Sequence, residues 1–218
     1  MNAEIVTRFW SKCERMIKDK YRCYCQLAES ERRGKDYRIR TRERNASTFI
    51  LAPHGGGIEP GTSEIAWAMA APDYSFYALE GIKGSRNRVL HVTSTNFDEP
   101  RCLSLVTFAD RVVAIHGEDS KEKVVLLGGR DELTFARLRT SLEQHGFKVK
   151  AEASPGLQGR SENNVCNKGR SGAGVQIEIS HGLRRTFFAR LSREGRKTKT
   201  PCFRHFIAAL KHGLRQSR

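Results

Sequence analysis

Short apolar runs alternate along the chain with segments that have the periodicity of helices. The short runs predict strands at 48–52, 75–79, 89–92, 111–115, 124–127 and 175–179. Alternation of apolar and basic residues at 37–40 predicts a further strand, half exposed at the edge of a sheet. Helical spacing, capping residues and glycine stops predict helices at 3–31, from a cap at Thr62 or Ser63 onward, and at 98–106, 132–145, 183–192 and 202–213.

Strands that alternate with helices form βαβ units, which build mostly parallel sheets. The sequence therefore predicts the α/β class, with an open, mostly parallel twisted sheet and helices on both of its faces. The length of 218 residues fits one domain, with room for an appendage. In such sheets the ligand binds outside the carboxyl ends of the strands. His54, His116 and Arg130 each follow a predicted strand, and Glu178 lies near the end of the last one.

The charge of the chain is unevenly distributed. Lysine and arginine together number 39 and the acids 24, which gives a net charge of +15. Residues 181–218 hold eleven of the bases and a single acid, Glu194, so this basic C-terminal segment carries most of the excess. The segment is either a solvated basic face or a surface that attracts a polyanion, such as nucleic acid, an anionic membrane surface or an acidic polymer.

The sequence predicts a cytoplasmic protein that makes no use of a membrane. No apolar run approaches the ~20 residues that span a bilayer, and the N-terminal residues mix charges in a way that secretory signals do not. The six cysteines include no CxxC pair, and reduced thiols are expected in this compartment.

The glycine-rich segment 56–62 lacks the features of a nucleotide-binding loop. A Walker loop requires a lysine where Thr62 stands, and Glu59 would direct a carboxylate at the phosphates. The dinucleotide fingerprint is also absent, because Pro60 occupies the place of its third glycine.

A metal site explains the same segment better. His54 and Glu59 flank three glycines directly after a buried strand, and these glycines allow the chain to turn sharply. His116 also ends an apolar strand and precedes a glycine. Two histidines and one glutamate are a known ligand set of catalytic zinc, which keeps a further position open for water. The alternative for each histidine is an ordinary hydrogen-bonded group.

Glu178 is a lone carboxylate between Ile177 and Ile179 on an apolar strand. Such a carboxylate is buried, and burial raises its pKa. A water molecule activated by zinc requires a nearby base, which Glu178 could supply. The alternative is a structural salt bridge to one of the many arginines.

Five segments together resemble the phage-type poly-γ-glutamate hydrolase family: PHGGGIEPGTSEIA at 53–66, FYALEG at 76–81, AIHG at 114–117, GGRD at 128–131 and NNVCNKGRSGAGVQIEIS at 163–180. The resemblance implies a fold similar to zinc carboxypeptidases and one zinc ion per chain. It implies that His54, Glu59 and His116 hold the metal and that Glu178 is the catalytic base. It covers residues 36–218 as the hydrolase domain and leaves 1–35 as an N-terminal helical extension without assigned chemistry.

The resemblance implies as substrate a polymer linked through the glutamate side-chain carboxyl, with a free α-carboxylate on every unit. Arg130 and Arg170 are the candidates for binding that carboxylate, because both lie in glycine-rich loops near the predicted site. Lys83 and Arg86 lie in a second candidate rim loop. Members of the family also carry the label phage-related replication protein, and release by host lysis is expected if the protein derives from a phage. The alternative function is therefore a DNA-binding protein without hydrolase activity, whose basic C-terminal segment contacts phosphates.

Overall fold

The computed structural model describes residues 19–150 and 155–215 of the chain. Seven strands lie in this part: β1 (Tyr37–Arg42), β2 (Thr48–Gly56), β3 (Ser75–Gly81), β4 (Arg111–Glu118), β5 (Val125–Gly129), β6 (Val149–Lys150) and β7 (Val175–Ser180). They are accompanied by the helices α1 (Tyr24–Ser30), α2 (Thr62–Ala70), α3 (Pro100–Val106), α4 (Glu132–Gln144), α5 (His181–Phe187) and α6 (Pro201–Arg215). Short 3₁₀ helices lie at Asn87–Leu90, Pro155–Leu157, Val165–Asn167 and Gly195–Lys197.

The strands form a single sheet in the order β1-β3-β2-β4-β7-β5-β6. The four central strands β3, β2, β4 and β7 are parallel, so their carboxyl ends share one edge of the sheet. The flanking strands run the other way: β1 is antiparallel to β3, and β5 is antiparallel to β7, with β6 parallel to β5. The predicted α/β class and the mostly parallel sheet are thus confirmed.

Strand β2 is buried along its whole length because helices cover both faces of the sheet. Ile50 and Ala52 belong to the core shared with α2, α4, α5 and α6, whereas Phe49 and Leu51 belong to the core shared with α1 and α3. Side chains of a strand point alternately to its two faces, so a continuous apolar run is what a doubly covered strand requires.

Three local predictions were wrong. Residues 89–92 form no strand, because the 3₁₀ helix Asn87–Leu90 includes the first two of them. Leu90 and Val92 are both buried, and this alternation of buried positions resembles the pattern of a strand. Helix α2 is capped by Gly61 at a φ of 102°, not by a hydroxyl side chain. Within the described residues the predicted N-terminal helix is reduced to α1, and its part before residue 19 lies outside them.

Two further features bear on the sequence-based expectations. Cys23 and Cys25 form a disulfide, so the expectation of reduced thiols was wrong for this pair. Leu27 and Glu31 both precede residue 35, where the sequence predicts the boundary of the hydrolase domain. Leu27 is buried in the core shared with α1 and α3, and Glu31 pairs with Lys83 at 2.5 Å. The division of the chain at residue 35 stays a prediction. Among the helices of residues 19–150 and 155–215, none has the length and apolar composition needed to cross a membrane.

Candidate metal centre

The segment after β2 brings Glu59 back beside His54. A register shift in the pairing with β3 between Ala52 and Gly55 marks where β2 becomes irregular. The backbone N–H of Glu59 then donates to the carbonyl of His54 at 2.9 Å and closes the turn. Gly56 makes this possible, because its φ is +66° and a Cβ there would lie 2.5 Å from the carbonyl oxygen of Gly81.

Three side chains that can bind a metal meet at this turn. His54 Nδ1 lies 3.2 Å from Glu59 Oε1 and 3.2 Å from His116 Nδ1, and His116 Nδ1 lies 3.8 Å from Glu59 Oε2. Donors bound to a tetrahedral zinc at about 2.0–2.2 Å are roughly 3.3–3.6 Å from one another. The spacing of the three side chains therefore fits a single zinc ion with little adjustment.

Hydrogen bonds outside the cluster orient both histidines. The Nε2 of His54 lies 2.8 Å from the carbonyl oxygen of Val92, which can only accept, so Nε2 carries the proton. In neutral His54 the lone pair of Nδ1 is therefore free and directed at the cluster. His116 Nε2 lies 3.4 Å from the hydroxyl of Ser94, and His116 Nδ1 faces the cluster, as Nδ1 of His54 does. Metal-binding histidines have this arrangement, with one nitrogen on the metal and the other bonded to the protein.

The electrostatics of the cluster suit a cation. Burial raises the pKa of Glu59, but the positive charge of His54 and its hydrogen bond with the carboxylate outweigh this effect and bring the pKa of Glu59 down to about 2. Burial lowers the pKa of His116 to about 3 and thereby keeps the imidazole neutral. Burial opposes protonation of His54, but the attraction of Glu59 is stronger and raises its pKa. A charged carboxylate and a neutral imidazole are the forms that bind metal.

Strand β7 places Glu178 next to this cluster. Glu178 is paired in register with His116 of β4, and it lines a cavity of about 250 Å³ together with His54, Glu59 and His116. It is only 4% exposed. Burial raises its pKa well above the usual range, and the charges of Glu59 and Glu118 raise it further. A carboxyl group with a raised pKa in a cavity is a candidate for proton transfer.

A chain of amides holds the Glu178 side chain. Gln176, two residues earlier on the same face of β7, donates from Nε2 to Glu178 Oε1 at 3.0 Å. Asn164 donates in turn to Gln176 Oε1 at 2.8 Å. Within the described residues Glu178 thus has an amide partner in place of the salt bridge that was its alternative. Neither amide was predicted from the sequence, although the strand period of two places Gln176 beside Glu178.

The buried Arg184 of α5 connects the elements that carry the site. Its guanidinium donates to the carbonyls of Ile179 at 2.9 Å, Pro60 at 2.7 Å and Glu118 at 3.0 Å. These carbonyls belong to β7, to the turn after Glu59 and to β4. A Cβ at Gly117 would lie 2.6 Å from the guanidinium carbon, so the glycine after His116 makes room for this arginine.

We expect Arg184→Met to lower the free energy of unfolding by at least about 3 kcal/mol, because three carbonyls lose a charged donor. Urea denaturation of the metal-free protein measures the loss. Arg185→Met is the matched control, since Arg185 is the exposed neighbour on the same helix and surface changes stay within about 0.5 kcal/mol. Equal losses in both variants would contradict a structural role for Arg184.

The structure does not bring Arg130 and Arg170 to this cavity. Arg130 directly follows β5, whose last residue, Gly129, pairs with Val175 at the start of β7. Because β5 is antiparallel to β7, the end of β5 lies at the edge of the sheet where β7 begins. Arg170 pairs with Asp110 at 3.5 Å, directly before the start of β4. Both arginines lie at the edge of the sheet opposite to the cluster. Their expected location beside the site was therefore wrong. His91 was not predicted as a site residue, but it does line the cavity.

Comparison with known proteins places this geometry in context. A solved structure of bacteriophage poly-gamma-glutamate hydrolase matches with a TM-score of 0.87 and 31% identity over 90% of this chain and 97% of that one. The zinc-free structure of YndL matches with a TM-score of 0.86 and 35% identity over 91% and 98%.

Proteins of Bacillus subtilis (strain 168) are also similar to this chain in sequence. The SPbeta prophage-derived UPF0714 protein YoqZ is 39% identical over 88% of this chain and 70% of its own length. The UPF0714 protein YmaC is 38% identical over 88% and 83%. The family model described as poly-gamma-glutamate hydrolase matches residues 21–209, which include all four residues of the proposed site. The chain therefore belongs to the poly-γ-glutamate hydrolase family.

Proposed function

We propose that this protein is a zinc-dependent hydrolase of γ-glutamyl amide bonds and that poly-γ-glutamate is its substrate. The observation that carries the proposal is the cavity in which His54, Glu59 and His116 converge beside the buried Glu178. The chain's family is named for hydrolysis of this polymer, and one similar structure is described as zinc-free. Both facts support the proposal.

His54, Glu59 and His116 would hold one zinc ion per chain. When bound, the ion supplies Lewis-acid polarisation of the amide carbonyl and lowers the pKa of a water molecule. Glu178 takes a proton from the attacking water and delivers it to the leaving amine, so that the C–N bond breaks and water adds across it. Burial and the neighbouring carboxylates raise the pKa of Glu178, which makes its carboxylate a stronger base, and the charge of a bound cation would oppose this rise and favour the ionised form.

The direct test is depolymerisation of poly-γ-glutamate by the purified protein, followed by the size distribution of the polymer. We expect cleavage with zinc, loss of cleavage after treatment with a chelator, and recovery when zinc is added back. An α-linked polyglutamate serves as the control substrate and should remain intact. Intact γ-linked polymer with the zinc-loaded protein would contradict the substrate, and cleavage by the metal-free protein would contradict the role of zinc.

The alternative of a DNA-binding protein without hydrolase activity has less support. The family match and the geometry of the cavity favour the hydrolase. The basic C-terminal segment also contributes side chains to the fold itself. Arg184 is buried, and Arg196 donates to Glu64 at 2.7 Å and to the carbonyl of Leu191 at 2.6 Å.

A second surface fits an acidic polymer. A groove of about 730 Å³ borders the glycine turn at Gly56, and bases outnumber acids in its lining. The acids Glu64 and Glu80 are paired with Arg196 and Arg38, and the other bases of the lining are Lys35, Arg193, Lys197 and Lys199. Gly56 and Gly81 end β2 and β3, so the groove lies at the same edge of the sheet as the metal centre. A polymer with one carboxylate per unit would be attracted here before it reaches the cavity.

We expect the double variant Lys35→Gln, Lys199→Gln to lower kcat/KM at low salt by about threefold to tenfold and to leave kcat unchanged. The reason is that these exposed lysines act through the long-range field. The difference should disappear as salt rises, because screening weakens the same attraction in the wild type. Arg196 belongs to the same basic C-terminal segment as Lys199, but it is left unchanged in this variant because it is buried against Glu64.

The charge-matched control is Arg130→Gln, Arg170→Gln at the opposite edge of the sheet. We expect wild-type kcat/KM for this variant at all salt concentrations. A larger loss here than in the lysine variant would restore the substrate-binding role that the sequence predicted for the two arginines. A fall in kcat that is independent of salt would show that the groove shapes the site instead of steering the polymer.

A further inference from the structure

One arginine lines the cavity of the candidate metal centre. Among the described residues around this cavity, Arg88 is the only lysine or arginine. The acids Glu118, Asp119 and Glu178 belong to the same lining. A substrate unit that carries a free α-carboxylate would be repelled by these acids. Arg88 is therefore the basic side chain that can offset this repulsion by binding the carboxylate.

The backbone that carries Arg88 is fixed at the end of a central strand. Arg88 belongs to the 3₁₀ helix Asn87–Leu90. The side-chain amide of Asn87 accepts the backbone N–H of Lys83 at 2.9 Å and donates to the carbonyl of Lys83 at 3.0 Å. Asn87 also packs on the last residue of β3, since a Cβ at Gly81 would lie 2.7 Å from the Asn87 Oδ1 atom. The position of Arg88 is thus set by the same edge of the sheet as the metal centre.

An acid of the protein pairs with Arg88 in this structure. The Nη1 atom of Arg88 lies 2.6 Å from Oδ2 of Asp119, which directly follows β4 and the ligand-bearing end of that strand. The pair is open to water, because 59% of the arginine side chain and 63% of the aspartate side chain are exposed. Exposed ion pairs are weak, since water screens both charges. A carboxylate of the substrate can therefore take the place of Asp119.

A γ-linked glutamate polymer presents a carboxylate where this arginine can use it. Each amide nitrogen of such a chain is bonded to an α-carbon, and that carbon bears a free carboxylate directly beside the scissile amide. In an α-linked chain the same carbon bears a backbone carbonyl, and the carboxylate lies at the end of the side chain. A guanidinium binds a carboxylate through two parallel N–H donors, which makes it selective for a carboxylate over a neutral carbonyl.

We propose that Arg88 binds the α-carboxylate beside the scissile amide and that Asp119 occupies the arginine until the substrate arrives. This proposal rests on the proposed hydrolysis of poly-γ-glutamate at the cavity. It assigns the role expected of Arg130 and Arg170 to an arginine that does reach the cavity. Arg88 acts by direct contact, whereas the lysines of the groove attract the polymer over a distance that salt screens. High salt therefore separates the two effects.

The experiment compares poly-γ-glutamate with the same polymer whose α-carboxylates are methyl esters, both at high salt. We expect Arg88→Gln to lower kcat/KM for the free polymer by about tenfold, the low end for a hydrogen bond to a charged group, because Arg88 is exposed. We expect Asp119→Asn to raise it by about twofold to fivefold, because the substrate then has no competitor for the arginine. On the methyl ester the wild type should be about tenfold less active than on the free polymer, and neither substitution should change its activity further.

Arg170→Gln and Asp110→Asn are the matched controls, because this pair lies at the opposite edge of the sheet with 60% and 47% of its side chains exposed. Both should keep wild-type kcat/KM on the free polymer. A loss in Arg88→Gln no larger than in Arg170→Gln would overturn the proposal, as would equal cleavage of the two polymers by the wild type. A fall of kcat/KM in Asp119→Asn would overturn the exchange of carboxylates. If the zinc-loaded wild type does not cleave poly-γ-glutamate at all, the proposed function itself fails, which separates the two failures.

Discussion

Glu178→Gln will lower kcat by about 10²–10⁴-fold, the usual contribution of a positioned general base. Glutamine has the shape of glutamate, and its oxygen can still accept the hydrogen bond from Gln176. It cannot take up a proton, so the attacking water loses its base and the leaving amine loses its proton donor. Zinc content should stay at the wild-type level, because Glu178 is outside the proposed ligand set.

The same substitution has a predicted effect on stability, with a sign fixed by the pKa of Glu178. Burial, with Glu59 and Glu118 nearby, raises this pKa in the folded protein. The folded state therefore binds the proton more tightly than the unfolded state, and this contribution to stability is lost as the pH rises from about 4.5 through the raised pKa. Glutamine has no such loss. We expect Glu178→Gln to gain stability relative to the wild type as the pH rises over this range, measured by urea denaturation.

Glu122→Gln is the control for both measurements, because Glu122 is an exposed acid paired with Lys150. It should leave kcat and the pH dependence of stability close to the wild type. A loss of kcat below about tenfold in Glu178→Gln would show that Glu178 only shapes the cavity.

The sequence was sufficient to predict the four residues that meet in the cavity because of where they lie in the strands. His54, His116 and Glu178 are on parallel strands, near ends that share an edge, and Glu59 is returned to His54 by a short glycine turn. Apolar runs followed by glycine are local features. The rule that ligands bind outside the carboxyl ends of strands then places these residues together.

The same rule failed for Arg130 because the direction of a strand is not a local property. The run at 124–127 is as apolar as that of a central parallel strand, yet β5 is antiparallel to β7. Its carboxyl end therefore points away from the site. The direction depends on how the chain crosses the sheet, which the apolar pattern of one segment does not encode.

Arg184, His91 and Asp19 illustrate a second limit. Arg184 is one of eleven bases in a basic segment, and only the three carbonyls from distant elements show that it is buried. Asp19 and His91 are 72 residues apart in the chain, and the fold brings Asp19 Oδ1 to 2.7 Å from His91 Nδ1 beside the cavity that His91 lines. Long-range contacts of this kind have no signature in a single sequence.

The metal itself gives the last large expected effect. We expect one zinc ion per chain in the wild type, and binding weakened by more than about 100-fold in His54→Ala, His116→Ala and Glu59→Gln. Loss of an outer-shell partner already costs about 10–100-fold, and these variants remove a ligand outright. Glutamine is chosen at position 59 because its oxygen can still accept the N–H of Gly117, as Glu59 Oε2 does at 2.8 Å. Elemental analysis and chelator competition measure the loss.

Stability gives an independent view of the same binding, because a ligand that binds only the folded state stabilises it by about 4 kcal/mol at a concentration 1,000 times its Kd. Added zinc should therefore raise the Tm of the wild type and leave that of the three variants nearly unchanged. His205→Ala is the control, since His205 is exposed and contacts His145 and Phe147 in the segment after α4. Its response to zinc should equal that of the wild type. Full zinc occupancy in all three ligand variants would place the metal elsewhere, and Glu59 would then serve only to fix the turn between β2 and α2.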